Sequence, residues 1–426
     1  MTDIYRDYIL NREFSSNVKE TVKVYDANIY AKQMEEDISA LEYILSNIYS
    51  GKDFLKKRGI NVSDRLNNVR SKVSAVSFLN KVEFFELLCA ALSEIEDNHL
   101  VFTLPYFEKT HRFCMHNTVY FANFVLRKNG DGYIVVASDD PSIKCGDIIT
   151  AEEDCLFRTT DNQLLYGVFS KQSIQTVTCL CNGREVKANV FPIPTKKSDA
   201  NIWTYEKYQD IDIVTIHRFA AFSVAEEQDM SKLISLGSKL KESKKIIIDL
   251  RGNYGGDSEC VRQFIENLNG SAVFNLNYAK LNTQGSRLAE ISLYTSNLHD
   301  YEKVKKEILA DPVSRWQCAA TQPVYEGQYK NDLILLTDRE TASTAEIMVK
   351  CVKDNIPQSI VVGENTSGTL NTGDIRYFCL PNSLIFLNIP TAIFAGIFEE
   401  GTGFIPDFWS KDALQSAINL YLTKDL

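Results

Sequence analysis

The sequence predicts a mixed α/β protein in which helices come first, short strands follow, and strands then alternate with helices. Three observations predict this order. Apolar residues recur at helical spacing in the N-terminal part of the chain. The middle of the chain breaks into short strand-like runs separated by turn residues. In the last half, buried-type strands alternate with helical stretches, which is the pattern of βαβ units and a largely parallel sheet.

Two helices are predicted in the N-terminal part. The first helix ends before Gly51, which stands where a C-cap would be. A second helix begins at Asn80, a favoured N-cap, and Glu83 completes a capping box three residues later. It ends at the block Asp97-Asn-His99, before the strand-like residues 100–104. The apolar stripe of the first helix consists of Met34, Ile38, Leu41, Leu45 and Ile48.

The middle of the chain is predicted to form β structure. Residues 133–137 and 146–150 are strand-like, and a turn of acidic residues, proline and serine lies between them. Residues 176–181 and 185–190 flank Asn182-Gly183, which predicts a hairpin with a two-residue turn. The stretch 192–197 is typical of a linker.

The last half predicts a parallel sheet with helices between its strands. Functional groups in such sheets tend to lie at the carboxyl ends of the strands. The strands are predicted at 213–216, 246–250, 333–337 and 360–363, and helices at 261–268 and 345–352.

Composition and charge exclude several classes of protein. Hydrophobic residues make up 44% and charged residues 24%, the balance of an ordinary globular protein. The net charge of −10, without runs of Lys and Arg, lacks the basic footprint of a nucleic-acid binder; a local basic groove is the alternative. No apolar run approaches the roughly 18 residues that span a bilayer, and the start of the chain lacks the pattern of a signal peptide. The ten cysteines are scattered singly, so we expect a reduced, cytoplasmic protein; a secreted form whose leader was removed is the alternative.

Familiar catalytic motifs are missing from the sequence, including the Walker A loop, His-Glu-x-x-His, Gly-x-Ser-x-Gly and Cys-x-x-Cys. His111, Cys114 and His116 form a short cluster of metal-ligand residue types. Three such ligands close in sequence do not define a metal site by themselves, and a loop with buried side chains is the favoured interpretation. We therefore expect neither a metal nor an organic cofactor.

A glycine-rich turn lies between the strand 246–250 and the helix 261–268. Gly255 and Gly256 let the backbone turn tightly and point N–H groups outward near a helix N-terminus, which suits an anion or a developing oxyanion. The alternative is a plain strand-to-helix turn with Asp257 or Ser258 as the N-cap.

Ser343 lies in a second turn, between the strand 333–337 and the next helix. A serine in such a turn is exposed above the sheet, and the amide of Thr344 can donate to an oxyanion. The run Ser343-Thr-Ala-Glu346 also fits the capping box Ser-x-x-Glu. From this segment alone, a helix cap is the favoured interpretation.

A nucleophilic serine needs a base within hydrogen-bond reach. Among the five histidines, His99 is the candidate because it follows a well-formed helix at an acidic turn that can project into a cleft. The ordinary alternative for His99 is a surface or capping histidine. His217 lies on a strand and is predicted to be a core residue. A third carboxylate could orient the base, and the run Glu399-Glu400-Gly-Thr-Gly-Phe-Ile-Pro-Asp407 could supply it; the alternative is a charged surface turn.

Together these segments resemble the tail-specific, or C-terminal-processing, serine peptidases, whose wider clan includes the tricorn protease core. Four blocks carry the resemblance and occur in the order of that family. They are Asp97-Asn-His99, Asp249-Leu-Arg-Gly-Asn-Tyr-Gly-Gly256, Thr341-Ala-Ser-Thr-Ala-Glu346 with Val361-Val-Gly-Glu-Asn-Thr-Ser-Gly368, and Glu400-Gly-Thr-Gly-Phe-Ile-Pro-Asp407.

The resemblance implies three parts of the chain. Residues 1–105 would form an N-terminal helical segment with the histidine block, and residues 197–426 an α/β peptidase core of the ClpP and crotonase type. Residues 106–196, with Cys145-Gly-Asp147, resemble a diverged PDZ domain. Such domains bind peptides along a strand edge and in this family help to select substrate C-termini.

The resemblance also implies a role for individual residues. Ser343 would be the nucleophile, His99 the base, and Glu400 the residue that holds or polarises the base. The amide of Thr344, with that of Gly255 or Gly256, would form the oxyanion hole.

One branch of the family uses a lysine base, and that position is Thr369 here. Lys350 and Lys353 do not match the family's lysine. The His-based, tricorn-like branch has a serine before its histidine, where this chain has Asn98. Glu346 is interpreted as a helix-cap residue.

We therefore expect a serine endopeptidase that acts on peptides or unfolded proteins, without a nucleic-acid or membrane partner; its oligomeric state is left open. A catalytically silent member of the fold that binds peptides or small apolar ligands is the main alternative, and hydrolysis of a small ester or amide is a third. Activity is expected to fall as His99 protonates, near the ordinary histidine pKa of about 6.5.

Overall fold

The computed structural model describes residues 27–104, 107–114, 116–130, 132–196, 201–273, 276–294, 298–318, 327–394 and 399–423. The helices are α1 (Ala31–Asn47), α2 (Lys52–Lys57), α3 (Val62–Val73), α4 (Lys81–Ala91), α5 (Val224–Leu240), α6 (Ser258–Asn269), α7 (Gln284–Tyr294), α8 (Leu298–Ala310), α9 (Thr344–Asn355) and α10 (Ala413–Thr423). The strands are β1 (Asn28–Tyr30), β2 (Phe78–Asn80), β3 (Val101–Leu104), β4 (Lys109–Arg112), β5 (Thr118–Asn129), β6 (Gly132–Ser138), β7 (Ile148–Thr150), β8 (Leu156–Arg158), β9 (Leu164–Ser170), β10 (Thr176–Cys181), β11 (Arg184–Pro192), β12 (Trp203–Tyr208), β13 (Ile211–Ile216), β14 (Lys245–Asp249), β15 (Tyr278–Asn282), β16 (Arg315–Cys318), β17 (Asp332–Thr337), β18 (Ile360–Gly363), β19 (Thr372–Cys379), β20 (Phe386–Phe394) and β21 (Phe408–Trp409).

These residues form two compact units, each assembled from three stretches of the chain. Unit 1 comprises the described residues of 1–114, 276–321 and 371–400, and unit 2 those of 115–275, 322–370 and 401–426. The predicted division at residues 105/106 and 196/197 stays a prediction. Within the described part of the chain, no helix combines the length and the apolar character needed to cross a membrane.

In unit 1, helices pack with a sheet of order β16-β15-β20-β3-β4, in which β19 also pairs with β20. One apolar core joins α1 and α4 to β3 and β20, through side chains such as Leu41, Phe84, Phe102 and Leu387. The predicted capping box of α4 is confirmed: the N–H of Asn80 donates to Glu83 at 3.0 Å. The predicted C-cap at Gly51 is wrong, because α1 already ends at residue 47 and Gly51, with φ of −75°, precedes α2.

The first part of unit 2 is a β sheet of order β11-β10-β7-β6-β5-β9-β8, closed by a further pairing of β11 with β5. The predicted hairpin is confirmed, since Cys181 pairs with Arg184 and both Asn182 and Gly183 have positive φ, as a type I′ turn requires. Among the described residues of this sheet region, the helical structure is a single 3-10 turn, Glu153–Cys155. The PDZ-like interpretation stays a prediction.

The second part of unit 2 is a sheet of order β12-β13-β14-β17-β18-β21. Its strands from β13 to β21 are parallel, as predicted, and β12 is antiparallel to β13. Helix α10 covers one face by packing Ala417 and Tyr421 against Ile247 and Leu336. The prediction of an α/β protein is confirmed. Three loops leave the carboxyl ends of the neighbouring strands β14, β17 and β18, so they emerge at one edge of the sheet.

Candidate active site

Ser343 lies in the loop after β17, immediately before α9. Its backbone has φ of 54° and ψ of −117°, a left-handed conformation that costs a non-glycine residue about 1–3 kcal/mol. An ordinary N-cap residue is extended instead, so the helix cap alone does not account for this conformation. The predicted capping box is nevertheless present, and within it the Ser343 N–H donates to Glu346 Oε2 at 3.0 Å.

The glycine-rich loop after β14 lies directly against the Ser343 turn. A Cβ added to Gly255 would stand 2.8 Å from both Ala342 O and Thr344 N, and 2.9 Å from Ser343 Cβ. Gly255 and Gly256 also have φ of 97° and 142°, where other residues are strained. Unit 2 therefore brings Gly255, Gly256, Ser343 and Thr344 together, and close packing requires glycine at the first two positions.

Asn253 fixes this contact and determines which N–H groups are available. Its side-chain Oδ1 accepts the Gly255 N–H at 2.8 Å, and its carbonyl accepts the Ala342 N–H at 2.9 Å. The Thr344 hydroxyl in turn donates to the Gly256 carbonyl at 2.7 Å. Since the Gly255 N–H is engaged by Asn253, the candidate oxyanion donors are the N–H groups of Gly256 and Thr344.

Glu346 has a larger role than the predicted helix cap. Besides the Ser343 N–H, this fully buried carboxylate accepts the Thr366 hydroxyl at 2.6 Å and the Gly368 and Thr369 N–H groups at 2.8 Å each. Burial raises its pKa to about 7, against the opposing effect of these hydrogen bonds. Glu346 thus ties the nucleophile turn to the loop that follows β18.

His99 belongs to unit 1, where a buried aspartate holds its turn. Asp97 Oδ1 accepts the N–H groups of His99 and Leu100 at 2.9 and 3.2 Å, and also the Thr372 hydroxyl at 2.8 Å. Asp97 Oδ2 accepts the Tyr49 hydroxyl at 2.7 Å. His99 is therefore a buried residue with a fixed backbone rather than a surface histidine.

The surroundings of His99 change the expected pH dependence. Burial, together with the positive charge of Arg112, lowers the pKa of His99 to about 4. The expectation of a pKa near 6.5 is therefore corrected, because it assumed a solvated imidazole. The neutral form, which a general base requires, persists well below neutral pH.

Glu400 also lies in unit 1, and its Oε1 accepts the backbone N–H of Asn98 at 2.8 Å. The structure thus joins the first and last of the four sequence blocks. The contact uses the backbone of Asn98, so this link does not depend on the side chain that replaces the family's serine.

The two helix lysines outside the family pattern are engaged elsewhere. Lys350 pairs with Asp354 at 2.7 Å, and Lys353 pairs with Asp407 at 2.8 Å. His217 is buried, as predicted.

The remaining candidates form no metal site in the part of the chain that is described. His116 contacts the Thr118 hydroxyl at 3.1 Å and the Thr366 carbonyl at 3.0 Å. Burial lowers its pKa to about 4. Throughout the described ranges, no group of three His, Cys, Asp or Glu side chains is arranged to hold a metal ion.

A comparison with family models gives a match over part of the chain. Residues 210–407, which include the Gly255, Ser343 and Glu400 positions, match the family model described as Peptidase family S41. This part of the chain belongs to peptidase family S41. The prediction of a serine peptidase of the tail-specific family is therefore confirmed, while the choice of base stays a proposal. A comparison with curated protein sequences gives no match.

Solved structures give a weaker likeness to this chain. Mature CPAF is 13% identical, with 92% of this chain and 96% of that chain covered and a TM-score of 0.49. A putative peptidase from Parabacteroides merdae is 15% identical, with coverages of 92% and 97% and a TM-score of 0.47. The photosystem II D1 C-terminal processing protease is 12% identical, with the same coverages and a TM-score of 0.40. Because each TM-score is below 0.5, we take no functional residue from these structures.

Proposed function

We propose that this serine peptidase is an endopeptidase that cleaves peptides and unfolded proteins with Ser343 as nucleophile and His99 as general base. The Ser343 oxygen attacks the scissile carbonyl while His99 takes the hydroxyl proton, and the N–H groups of Gly256 and Thr344 bind the oxyanion. His99 then protonates the leaving amine, and a water molecule, activated in the same way, hydrolyses the acyl-enzyme.

The observation that carries the proposal is the packing of the two turns in unit 2. Ser343 has a strained backbone conformation, and the glycine loop lies against it closely enough to exclude a Cβ at Gly255. Strain of this kind persists where the surrounding structure holds it, and it is found preferentially at active sites. A simple helix cap requires neither the strain nor the paired glycines.

Glu400 is proposed as a positioning residue. Its carboxylate holds the Asn98 N–H, and Asp97 holds the N–H of His99 itself, so both acids fix the backbone that carries the base. We expect Glu400→Ala to lower kcat by tenfold or more while KM changes little, because the substrate is not contacted.

Cleavage of unfolded casein, followed by mass spectrometry, tests the proposed function. Wild type is expected to cut internal peptide bonds, and Ser343→Ala to abolish the cuts. Ser231→Ala, an exposed serine in α5, is the matched control and retains wild-type cleavage. Absence of Ser343-dependent cleavage by a folded protein would instead favour the silent peptide- or ligand-binding member of the fold.

We further propose that the peptidase selects its substrates by their C-termini. Paired peptides with a free and an amidated C-terminus measure it directly. We expect amidation to lower kcat/KM on the order of tenfold, because it removes a charge that a C-terminus-binding site recognises. Equal values for the two peptides would restrict the function to endopeptidase activity without C-terminal selection.

A further inference from the structure

Unit 2 presents two large apolar side chains to solvent next to the glycine loop. Phe222 is 80% exposed and Val224 is 70% exposed. Tyr254, which directly precedes Gly255, is 57% exposed. Single exposed apolar side chains are common on protein surfaces, so the feature that distinguishes these three is their connection to the glycine loop.

The segment that carries Phe222 is joined to the proposed oxyanion loop by backbone hydrogen bonds. The Phe219 N–H donates to the Gly255 carbonyl at 2.8 Å, and the Asp257 N–H donates to the Phe219 carbonyl at 2.7 Å. Phe219 and Gly256 therefore form a parallel bridge. Phe222 lies three residues beyond this bridge, and three residues span at most roughly 10 Å.

Neighbouring polar groups hold Phe222 in its exposed position. Its N–H donates to Glu226 at 2.6 Å, and the same carboxylate pairs with Arg218 at 2.6 Å. Arg218 also donates to the Ala220 carbonyl at 3.1 Å and lies over the Phe222 ring, 5.5 Å from its centre. An aromatic side chain held in solvent by its neighbours loses little conformational freedom when it binds another apolar group.

We propose that Phe222, Val224 and Tyr254 form an apolar ledge that binds the substrate polypeptide beside the scissile bond. The inference rests on the proposed function, because it takes Gly256 as an oxyanion donor. An extended substrate advances by about 3.3 Å per residue, so three of its residues cover the largest distance that the chain can span between Phe219 and Phe222. The ledge therefore selects substrates with a large aliphatic or aromatic side chain within about three residues of the cleaved bond. Such side chains are exposed in unfolded chains and buried in folded ones.

Two variants of Phe222 separate this role from a general loss of activity. Cleavage sites in a library of peptides from an unfolded proteome are first mapped for wild type. Two synthetic peptides are then compared, which differ only by leucine or alanine at the preferred position. Phe222→Ser is expected to lower the ratio of their kcat/KM values on the order of tenfold, whereas Phe222→Leu, which stays apolar, keeps the ratio within about threefold.

Phe191→Ala is the matched control, since Phe191 is an exposed aromatic residue of β11 that is not part of the ledge. It is expected to leave the selectivity ratio unchanged. Circular dichroism verifies that each variant is folded, which is expected because the Phe222 ring is largely exposed.

Three results would overturn the ledge. The first is wild-type cleavage without preference for an apolar residue near the cut, and the second is a selectivity ratio that Phe222→Ser does not change. The third is a dimer that Phe222→Ser dissociates without a change in selectivity, which would assign the surface to a second copy of the chain. Failure of the proposed function is distinguishable from failure of the ledge alone, because no Ser343-dependent cleavage would then be found with any peptide. In that case the ledge would be overturned as well.

Discussion

At the residue scale, the conformation of Ser343 makes a prediction that is independent of activity. A residue with φ of 54° and ψ of −117° is strained unless it is glycine. Ser343→Gly and Ser343→Ala both lack the hydroxyl, but only the glycine variant relieves the strain. We expect the glycine variant to be more stable than the alanine variant by about 1 kcal/mol or more, as measured by urea denaturation.

A helical serine provides the control for this comparison. At Ser231, within α5, the order must be reversed, because glycine in a helix costs about 1 kcal/mol relative to alanine. If alanine were also the more stable residue at position 343, the strain assigned to the nucleophile turn would be wrong.

The pKa of His99 predicts the acid limb of the pH–rate profile. A general base acts while it is neutral, and activity is lost as the pH falls through its pKa. Since burial lowers the pKa of His99 to about 4, kcat/KM for a peptide substrate should stay high through pH 6 and fall by half near pH 4. A half-maximum near pH 6.5, in a protein that is folded by circular dichroism, would contradict the assignment of the buried His99 as the base.

At the element scale, Glu346 connects α9 to the loop that follows β18. All four hydrogen-bond partners of the Glu346 carboxylate are donors. In Glu346→Gln, the side-chain NH₂ group is itself a donor and would face at least one of these N–H or O–H groups, so a hydrogen bond would be lost. We expect this variant to lose peptidase activity by tenfold or more, because the Ser343 turn loses one of its supports.

The same substitution makes a prediction about stability and pH. Burial raises the pKa of Glu346 from an ordinary value near 4.5 to about 7. Between pH 4.5 and pH 7, the folded protein therefore keeps a proton on Glu346 that the unfolded chain has lost. The free energy of unfolding of wild type should therefore fall, relative to Glu346→Gln, as the pH rises from 4.5 to 7. The shift corresponds to roughly 3 kcal/mol.

Urea denaturation of both proteins at pH 5 and pH 8 measures this difference. Glu364, whose pKa burial also raises to about 7, is present in both proteins and cancels from the comparison. A difference in stability between the two proteins that does not depend on pH would contradict the raised pKa of Glu346.

Elements with a local sequence signal were predictable. The capping box at Asn80, the Asn182-Gly183 hairpin and the parallel strands each follow from short-range patterns of turn residues and apolar runs. Within the site, the two turns at Gly255 and Ser343 were predictable for the same reason, since each follows a buried strand. The predicted C-cap at Gly51 was wrong because a glycine that follows one helix can also begin the next helix.

The long-range supports of the site were not predictable from the sequence. Asp97 fixes the His99 turn through neighbours in sequence, which the Asp-x-His spacing indicates, but its partners Tyr49 and Thr372 are distant and carry no local signal. The use of the Gly255 N–H by Asn253 depends in the same way on side-chain orientation. Such contacts are set by tertiary packing.

At the scale of the whole molecule, each unit depends on segments far apart in the sequence. Unit 1 contains a network of four charges, of which Arg376 is buried and the others are partly buried: Lys280 from β15, Glu290 from α7, and Asp374 and Arg376 from β19. Arg376 pairs with Asp374 at 2.7 Å and with Glu290 at 3.1 Å, and Lys280 contacts the same two acids. The network joins two of the three stretches of chain that build the unit.

Removal of one charge from this network should destabilise the protein strongly. Arg376→Met leaves two partly buried acids with one cation, and we expect a loss of about 2 kcal/mol in the free energy of unfolding, because the acids keep part of their solvation. Arg58→Met, which removes an exposed pair with Glu96, is the control and should cost less than about 1 kcal/mol. Equal losses for the two variants would show that the network is not a structural support of unit 1.

The most direct test of the central claim, an activated Ser343 served by His99, is covalent labelling with a fluorophosphonate probe. Wild type should become labelled on Ser343, located by mass spectrometry of the digested protein. Ser343→Ala and His99→Ala, each folded by circular dichroism, should both lose the label. Labelling of wild type that persists in His99→Ala, or labelling at a residue other than Ser343, would contradict an active site in which His99 activates Ser343.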